Sequence, residues 1–291
     1  MLTQVFDILA PLFAISLLGY GYGRWVRPDM AITNRLIMDV FMPALILQVM
    51  LREGFQLIDH AMLMVVGLGI MLMSGIAAYG VARLLGYEWR AFAPPAIFSN
   101  WANLGLPLYV FALGSQALEG GVMLVVLGNI LCFTLGIYIY SGVVKLKEVL
   151  QTPVLLAVVL GLLVSTFDVR VPAAVQTSLG LLGQVAIPLM LFSLGVRLTV
   201  VKLDDVTQGI VMAVLCPVVG IASALLLLSV LAVSPLERDI LILFAALPPA
   251  VVNFIMAEQY QRAPEQVASM IMIGNLAAIL TLPLVLALFI L

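Results

Sequence analysis

Residues 91–115 read AFAPPAIFSNWANLGLPLYVFALGS, and residues 239–261 read DILILFAALPPAVVNFIMAEQYQ. Both stretches are apolar and long enough to cross a bilayer, which takes about 20 residues of helix. Both also contain two adjacent prolines. These are Pro94 and Pro95 in the first stretch and Pro248 and Pro249 in the second. Because proline removes a backbone donor and clashes with the preceding turn, we predict a broken helix in each stretch.

Polar and helix-breaking residues surround the predicted breaks. Gly105 and Pro107 mark the break in the first stretch, close to Asn100 and Asn103, and Asn253 follows the proline pair of the second. A break at membrane depth frees backbone N–H and C=O groups that lipid cannot satisfy, so it is tolerated only against protein or a water-filled cavity. The two breaks therefore predict a binding site.

The composition is that of a polytopic membrane protein rather than a soluble domain. Hydrophobic residues make up 64% of the 291 residues, charged residues make up 10%, and the mean hydropathy is +1.22. Counting about 20 apolar residues per crossing, we predict an all-α fold with ten transmembrane helices. The predicted spans are residues 5–22, 35–51, 61–85, 91–115, 121–140, 152–167, 173–197, 206–231, 239–261 and 266–291.

The basic residues predict the orientation of these spans, because lysine and arginine are retained in cytoplasmic loops. Of the 13 lysines and arginines, all but Arg52, Arg170 and Arg238 lie at connections after odd-numbered spans. We therefore expect both termini outside and the odd-numbered connections in the cytoplasm. The expected location is the inner membrane of a bacterium, with lipid around the apolar surface.

The second half of the chain repeats features of the first half in the same order. The corresponding pairs are Pro11 and Pro153, Pro43 and Pro188, Arg90 and Arg238, Gly128 and Gly274, and Asn129 and Asn275. We interpret residues 1–140 and 152–291 as two five-helix repeats, joined by a short cytoplasmic connection at residues 141–151. An odd number of crossings in each half inverts the second repeat relative to the first, which is an architecture of secondary transporters.

Inversion makes predicted spans 4 and 9 antiparallel, so that their breaks can meet near the membrane midplane. Each break then points a helix N-terminus at the crossing, and helix N-termini carry free N–H groups and partial positive charge. No lysine or arginine lies deep in a predicted span. The helix dipoles and the amides of Asn100, Asn103 and Asn253 therefore predict binding of a small organic anion, such as a carboxylate.

Four segments resemble the auxin efflux carrier family, which includes bacterial carriers and the plant auxin exporters. They are FSNWANLGLPL in span 4, ALPPAVVNFIMAEQY with the following Pro264 in span 9, VFMPAL in span 2 and LTLPLVL in span 10. The resemblance, which extends to the inverted-repeat fold of bile-acid sodium symporters, implies a scaffold of spans 1, 2, 6 and 7 that often dimerises. It also implies that spans 3–5 and 8–10 form a core that carries substrate in an elevator-like motion.

The resemblance also assigns individual residues. By position, Asn100 matches the crossover asparagine of the family, Pro107 the proline after it, and Pro248 the proline of span 9, while Asn129 matches a polar position on the substrate side of span 5. Two features differ from the plant exporters. They often have a long polar segment between the halves, and they usually have proline where this chain has Asn253, so substrate identity is not transferred.

The candidate substrate-binding residues are Asn100, Asn103, Asn129, Pro248, Pro249, Asn253 and Asn275. The asparagines also have structural interpretations, which the sequence leaves open. Asn100, Asn103 and Asn253 could cap the second half-helices, because asparagine is a strong N-cap residue. Asn129 and Asn275 could form hydrogen bonds between helices without contacting a substrate.

Asp39 is a carboxylate that lies a turn or two inside predicted span 2. An acidic residue within the membrane can relay protons, which makes Asp39 a candidate for coupling transport to a proton or sodium gradient. Arg35 precedes it by four residues on the same helical face. A local ion pair is therefore the alternative interpretation.

The chain offers no residue set for catalysis. Its one histidine, His60, lies in a loop, and neither metal-spaced cysteines nor a glycine-rich phosphate loop is present. We expect no enzyme activity, no cofactor, no metal and no nucleic-acid partner.

The leading hypothesis is a carrier of organic anions. The alternatives are a sodium- or proton-coupled exchanger, which would be expected to have a carboxylate at the crossing, and a non-transporting receptor, which has no need of matched breaks.

Overall fold

The structure is a computed structural model, which describes residues 2–52, 55–143, 152–167, 170–199 and 205–291. Throughout these ranges the regular secondary structure is helical, apart from one isolated antiparallel bridge between Ser99 and Pro249. The predicted connection at residues 141–151 lies outside the described residues from position 144 onward.

The helices follow one another in two runs. The first run comprises α1 (Leu2–Val26), α2 (Ala31–Met50), α3 (Ala61–Leu85), α4a (Trp89–Ile97), α4b (Trp101–Leu113) and α5 (Ser115–Ser141). The second run comprises α6 (Pro153–Thr166), α7 (Ala173–Arg197), α8 (Val206–Leu228), α9a (Pro235–Ala245), α9b (Val252–Gln259) and α10 (Pro264–Ile290).

Within the described part of the chain, seven helices are long and apolar enough to cross a membrane: α1, α2, α3, α5, α7, α8 and α10. Each of the ten predicted spans overlaps a helix or a pair of half-helices, and spans 3 and 7 coincide with α3 and α7 at both ends. The prediction of an all-helical, multi-pass membrane protein is therefore confirmed. The count of ten crossings and their inverted repeat stay predictions.

Large apolar side chains cover the outer faces of the helices. Leu17 and Leu18 on α1 are 66% and 69% exposed, Ile76 on α3 is 72% exposed, and Leu280 on α10 is 71% exposed. Soluble monomeric proteins rarely present extended apolar surfaces of this kind to water. The outer surface is thus suited to contact with lipid chains.

Side-chain caps define the starts of three described helices, of which α6 is capped by Thr152, whose hydroxyl accepts a hydrogen bond from the N–H of Leu155 (3.4 Å). Ser234 and Glu237 form a reciprocal capping box at the start of α9a, where Pro235 takes the first helical position. Asp205 accepts a backbone hydrogen bond at the start of α8. A side-chain cap typically stabilises a helix by about 1 kcal/mol. The capping box explains why α9a begins a turn before the predicted start of span 9.

Wide π-helical turns precede two of the prolines. One covers Ile37–Phe41 in α2, just before Pro43, and another covers Trp101–Gly105 in α4b, just before Pro107. A proline ring clashes with the carbonyl of the residue four positions earlier in a regular α-helix. A π turn changes this local geometry by adding a residue to the hydrogen-bonded ring. These helices therefore continue through their prolines.

The structure corrects the position of the first break. Gly105 and Pro107, which were predicted to mark it, both lie inside α4b, and the interruption falls upstream at residues 98–100. Pro94 and Pro95 lie in the last turns of α4a rather than in the gap. In the second stretch, by contrast, the proline pair lies in the gap between α9a and α9b, as predicted.

The helices pack most extensively in two groups. α1 packs along α7, and α2 lies against both α6 and α7, whereas α3 packs on α4a and α8, and α8 packs on α10. The contact between α1 and α7 is close because Gly19 faces the backbone of Phe192 and Gly195 faces the backbone of Ser16. The groups contain the helices predicted for a scaffold and a core, and those roles stay predictions.

Gly19→Ala is expected to destabilise the protein, because a β-carbon at this position would overlap the backbone carbonyl of Phe192. Overpacking of this kind typically costs about 1–3 kcal/mol, so the unfolding temperature in detergent should fall. Gly21→Ala in the same helix is the matched control, since no atom of the described residues lies within 4 Å of the added carbon. Alanine favours a helix over glycine by up to about 1 kcal/mol. Equal losses in both variants would contradict the close packing of α1 on α7.

Candidate functional site

The two broken helices meet where each is interrupted. The backbone N–H of Asn100 donates a hydrogen bond to the carbonyl of Pro248 (2.7 Å), and the N–H of Ala250 donates to the carbonyl of Phe98 (3.0 Å). These bonds belong to the isolated antiparallel bridge between the two gaps. Backbone groups in each gap have no partner within their own helix, and groups in the other gap bind them instead. Buried backbone groups need such partners because water does not reach them.

Asn253 strengthens this crossing from inside α9b. The side chain is fully buried, and its Nδ2 donates to the carbonyls of Phe98 and Ala250, both at 2.8 Å. A single amide therefore bridges the gaps of both broken helices. Its Oδ1 is buried without a hydrogen-bond partner among the described residues. The capping interpretation of Asn253 is wrong, because Val251 precedes α9b and Asn253 lies within it.

Asn275 joins the crossing to α10. Its Nδ2 donates to the carbonyls of Pro249 (3.0 Å) and Ile271 (2.8 Å), and its Oδ1 accepts a hydrogen bond from Nδ2 of Asn100 (3.3 Å). Asn275 therefore does link helices, as one interpretation predicted. The side chain of Asn100 is directed to Asn275, and no side-chain cap is formed at the start of α4b. The capping interpretation of Asn100 is wrong as well.

Neighbouring helices approach the crossing through glycines. Gly274 of α10 packs on the ring of Pro249, and Gly128 of α5 packs on the buried indole of Trp101. In both places a β-carbon would come closer than van der Waals contact allows. The hydroxyl of Tyr140, at the end of α5, also donates to a backbone carbonyl of α9b (3.3 Å). Contacts with α5 and α10 therefore stabilise the crossing, in addition to the hydrogen bonds between the two gaps.

The fold and this crossing agree with what the sequence is related to. A family model described as membrane transport protein matches residues 4–144 and 139–286. The chain belongs to this family. Because the family is of the auxin efflux carrier type, the resemblance inferred from the crossover motifs is confirmed.

Relatives of this membrane transport protein share its full length. An uncharacterized transporter of Methanocaldococcus jannaschii is 23% identical, with 96% of each chain covered. An uncharacterized transporter of Methanothermobacter thermautotrophicus is 26% identical, again with 96% of each chain covered. The family and these relatives bear the names of transporters and not of enzymes.

Two of the predicted substrate-binding residues lie outside the hydrogen-bonded network. Asn103 is half-buried in the first turns of α4b, and its amide has no hydrogen bond to any of the described residues. Asn129 is half-buried on α5 and donates to the carbonyl of Val125 in its own helix (2.8 Å). It borders a small cleft between α5 and α6, which Thr152 also lines.

Backbone donors lie beside the crossing. The first N–H groups of a helix have no partner within that helix, and in α4b these include the groups of Ala102 and Asn103. The N-terminus of α9b begins at Val252, directly after the other gap. Each helix N-terminus typically stabilises a bound anion by about 0.3–1 kcal/mol. None of the side chains in the hydrogen-bonded crossing is charged, so its electrostatics depend on the helix ends, which are positive at α4b and α9b and negative at α4a and α9a.

Sequence analysis missed several polar groups close to the crossing. Tyr109 of α4b is fully buried, and its hydroxyl lies next to Gly105 without a hydrogen-bond partner in the ranges that the structure describes. Ser74 and Ser99 line a second small cleft among α3, α4a, α8 and α9a. A single tyrosine or serine in an apolar helix gives no periodic signal, so the sequence could not single these residues out.

Asp39 lies on an exposed face of the π-helical turn in α2. It forms no ion pair with Arg35 or with any other described residue, so the predicted local pair is not formed. It also forms no hydrogen bond with the asparagines of the crossing. Its role in coupling stays a prediction.

Asn253→Ala is expected to lower the unfolding temperature, because two buried hydrogen bonds are lost. Each such bond typically contributes about 0.5–1.5 kcal/mol. Asn103→Ala is the matched control, since it removes an amide of the same size that bonds to no described residue. Thermal unfolding of both variants in detergent measures the difference. A crossing that does not depend on Asn253 would give the same unfolding temperature for the two.

Proposed function

We propose that this membrane transport protein is a secondary transporter or facilitator of a small organic anion, such as a carboxylate. The observation that carries the proposal is the meeting of two buried helix breaks in a neutral, amide-rich crossing. Transporters with inverted repeats bind their solutes between such half-helices, whose N-termini point at anionic groups. A receptor that only holds a partner has no need of two matched breaks.

Ten crossings in two inverted five-helix repeats account for the way the breaks meet. The bridge between them is antiparallel, as inversion predicts. Contacts at one end of the molecule support the same topology. Arg262, which follows α9b, donates to Glu88 before α4a (3.3 Å) and to the carbonyl of Tyr140 at the end of α5 (3.2 Å). Connections after odd-numbered helices thus gather at one end, which we propose is cytoplasmic, with both termini outside the inner membrane of a bacterium.

The two packing groups support an elevator-like mechanism. In this mechanism α1, α2, α6 and α7 form a scaffold, through which we propose that the protein forms a homodimer. The helices α3–α5 and α8–α10 form a core that carries the crossing across the membrane. The cleft between α5 and α6 lies between these two parts, and Asn129 faces it from the core side. A solute bound beside the crossing would be exposed to this boundary.

The hydrogen bonds divide the candidate residues into two roles. Three asparagines form hydrogen bonds within the crossing and position its backbone: Asn100, Asn253 and Asn275. The amide of Asn103 forms no hydrogen bond with a described residue, and the amide of Asn129 donates only one of its two N–H groups. We assign direct contact with the anion to Asn103 and Asn129, together with the backbone N–H groups of Ala102 and Asn103 at the start of α4b. A carboxylate accepts such bonds with both oxygens.

Coupling to sodium or protons is a second candidate for the same architecture. The observation that favours it is the buried Oδ1 of Asn253, an acceptor without a partner among the described residues. The crossing itself contains no carboxylate to balance a bound cation. Facilitated movement of an anion therefore remains the leading proposal.

Uptake into proteoliposomes tests the substrate class. Initial rates would be measured with radiolabelled acetate, lactate, succinate and benzoate, with ethanolamine as a cationic comparison, with and without proton or sodium gradients. At least one carboxylate should enter faster than into protein-free vesicles, and ethanolamine should not. Uptake of ethanolamine alone would contradict the proposal.

Asn103→Ala and Asn129→Ala are expected to reduce carboxylate uptake at low concentration by about tenfold, because a hydrogen bond to a charged group contributes about 1.5–3 kcal/mol. Gln116→Ala is the matched control, since this exposed amide lies in the turn at the start of α5. Unfolding temperatures of the three variants should equal that of the unmodified protein. Normal uptake by both asparagine variants would refute the assignment of the site.

A further inference from the structure

Charged residues gather where the connections after α2, α4 and α8 meet. His60, in the turn before α3, lies between two carboxylates. Its Nε2 is 4.0 Å from Oε2 of Glu119 in α5, and its Nδ1 is 3.7 Å from Oε1 of Glu237 in α9a. The three side chains are only 16%, 32% and 14% exposed, respectively. Sequence analysis assigned no role to His60, because its partners lie far away along the chain.

Other contacts hold both carboxylates in place. Oε2 of Glu237 accepts hydrogen bonds from the backbone N–H (3.0 Å) and the hydroxyl (2.9 Å) of Ser234, which leaves Oε1 to face the imidazole. Glu119 faces the imidazole with Oε2 and accepts a hydrogen bond on Oε1 from Nη1 of Arg52 (3.4 Å). The ring of Phe55 packs on the imidazole, with 5.8 Å between centroids. The histidine is thus confined between two anions.

A neutral imidazole cannot donate an N–H group to both carboxylates. One of its nitrogens carries a proton, whereas the other presents a lone pair, which repels a carboxylate oxygen. The Nδ1 atom of His60 is buried and has no hydrogen-bond partner among the described residues. A second proton on the ring gives each carboxylate a charged N–H group to face. The geometry therefore favours uptake of one proton by the cluster.

Arg52 connects this cluster to the other part of the molecule. Arg52 directly follows α2, a helix of the proposed scaffold, whereas His60, Glu119 and Glu237 belong to the proposed core. The bond between Arg52 and Glu119 therefore crosses the boundary that moves in an elevator mechanism. A protonated His60 faces Oε2 of the carboxylate whose Oε1 binds Arg52, so its positive charge partly neutralises Glu119 and repels the guanidinium.

We propose that His60, Glu119 and Glu237 form a proton-binding site, and that a proton bound there weakens the bond between Arg52 and Glu119. The consequence for transport rests on the proposed function, because it requires the core to move against the scaffold. Acidification on the side of the cluster, which we assign to the outside, then speeds movement of the core.

Few other ionisable groups surround the cluster. Asp59 precedes His60 and is exposed. Arg238 and Asp239 follow Glu237 and pair with each other (3.0 Å). Glu53 follows Arg52 in sequence but lies outside the described residues. Histidine is the side chain that normally changes charge between about pH 5 and pH 8, which sets the pH range of the experiment.

The proton site is tested on the whole protein in detergent, independently of transport. Unfolding temperatures would be measured at about pH 8 and about pH 5.5, a range in which histidine titrates, for the unmodified protein, Arg52→Gln, Glu119→Gln and the double variant. The coupling between the two substitutions should be present at the higher pH and reduced at least about twofold at the lower pH. In a His60→Gln background it should not change with pH.

Arg170→Gln is the control in this experiment, because Arg170 is exposed and bonds to no described residue. Its effect on the unfolding temperature should be small at both values of pH. A coupling between Arg52 and Glu119 that is independent of pH, or that changes with pH equally in the His60→Gln background, would overturn the proton site.

Uptake of the carboxylate panel tests the consequence for transport, with the rate of protein-free vesicles subtracted. Lowering the external pH from about 8 to about 5.5 should raise the initial rate of the unmodified protein about threefold, the size expected for weakening one exposed ion pair. Arg52→Gln should be fast and His60→Gln slow at both values. Carboxylate uptake with the same pH response in all three proteins would overturn the inferred control. Absence of carboxylate uptake would instead refute the proposed function, and the unfolding data would still decide on the proton site.

Discussion

The exchange of backbone hydrogen bonds between the two gaps is the constraint on which the rest of the structure depends. The N–H of Asn100 bonds to Pro248, and the N–H of Ala250 bonds to Phe98. In a hydrocarbon environment a lone break would leave such groups unpaired, at a cost of several kcal/mol for each group. Neither α4 nor α9 can therefore adopt its broken form alone. The breaks form only when the two halves of the chain are docked.

This constraint determines how the polar side chains are used. An amide is a neutral group that both donates and accepts, so it can pair with freed carbonyls without bringing a charge into the bilayer. Asn253 and Asn275 do so for the gaps, and Asn100 links to Asn275. Residues that rigidify the crossing are then unavailable to a solute. This is why the proposed binding site lies at the edge of the crossing, at Asn103 and Asn129.

The sequence predicted the helices well because long apolar runs specify spans without reference to the rest of the chain. It also predicted two broken helices, but it misplaced the first gap. Whether a proline breaks a helix depends on the surrounding backbone, and a π turn lets α4b continue through Pro107. The roles of the asparagines depend on partners in the other half of the chain. The cluster around His60 joins three separate connections, which no local pattern could reveal.

The distribution of charge follows from the same physics. Moving a charged group through hydrocarbon is expensive, so a part of the protein that crosses the bilayer should carry a neutral interior. The crossing meets this requirement. Ion pairs occur instead at the ends of the molecule, between Arg262 and Glu88 at one end and between Arg52 and Glu119 at the other. Both pairs are partly exposed to solvent, so each contributes little to stability. A neutral interior with weak charged contacts at its ends is thus the arrangement that the proposed movement of the core would require.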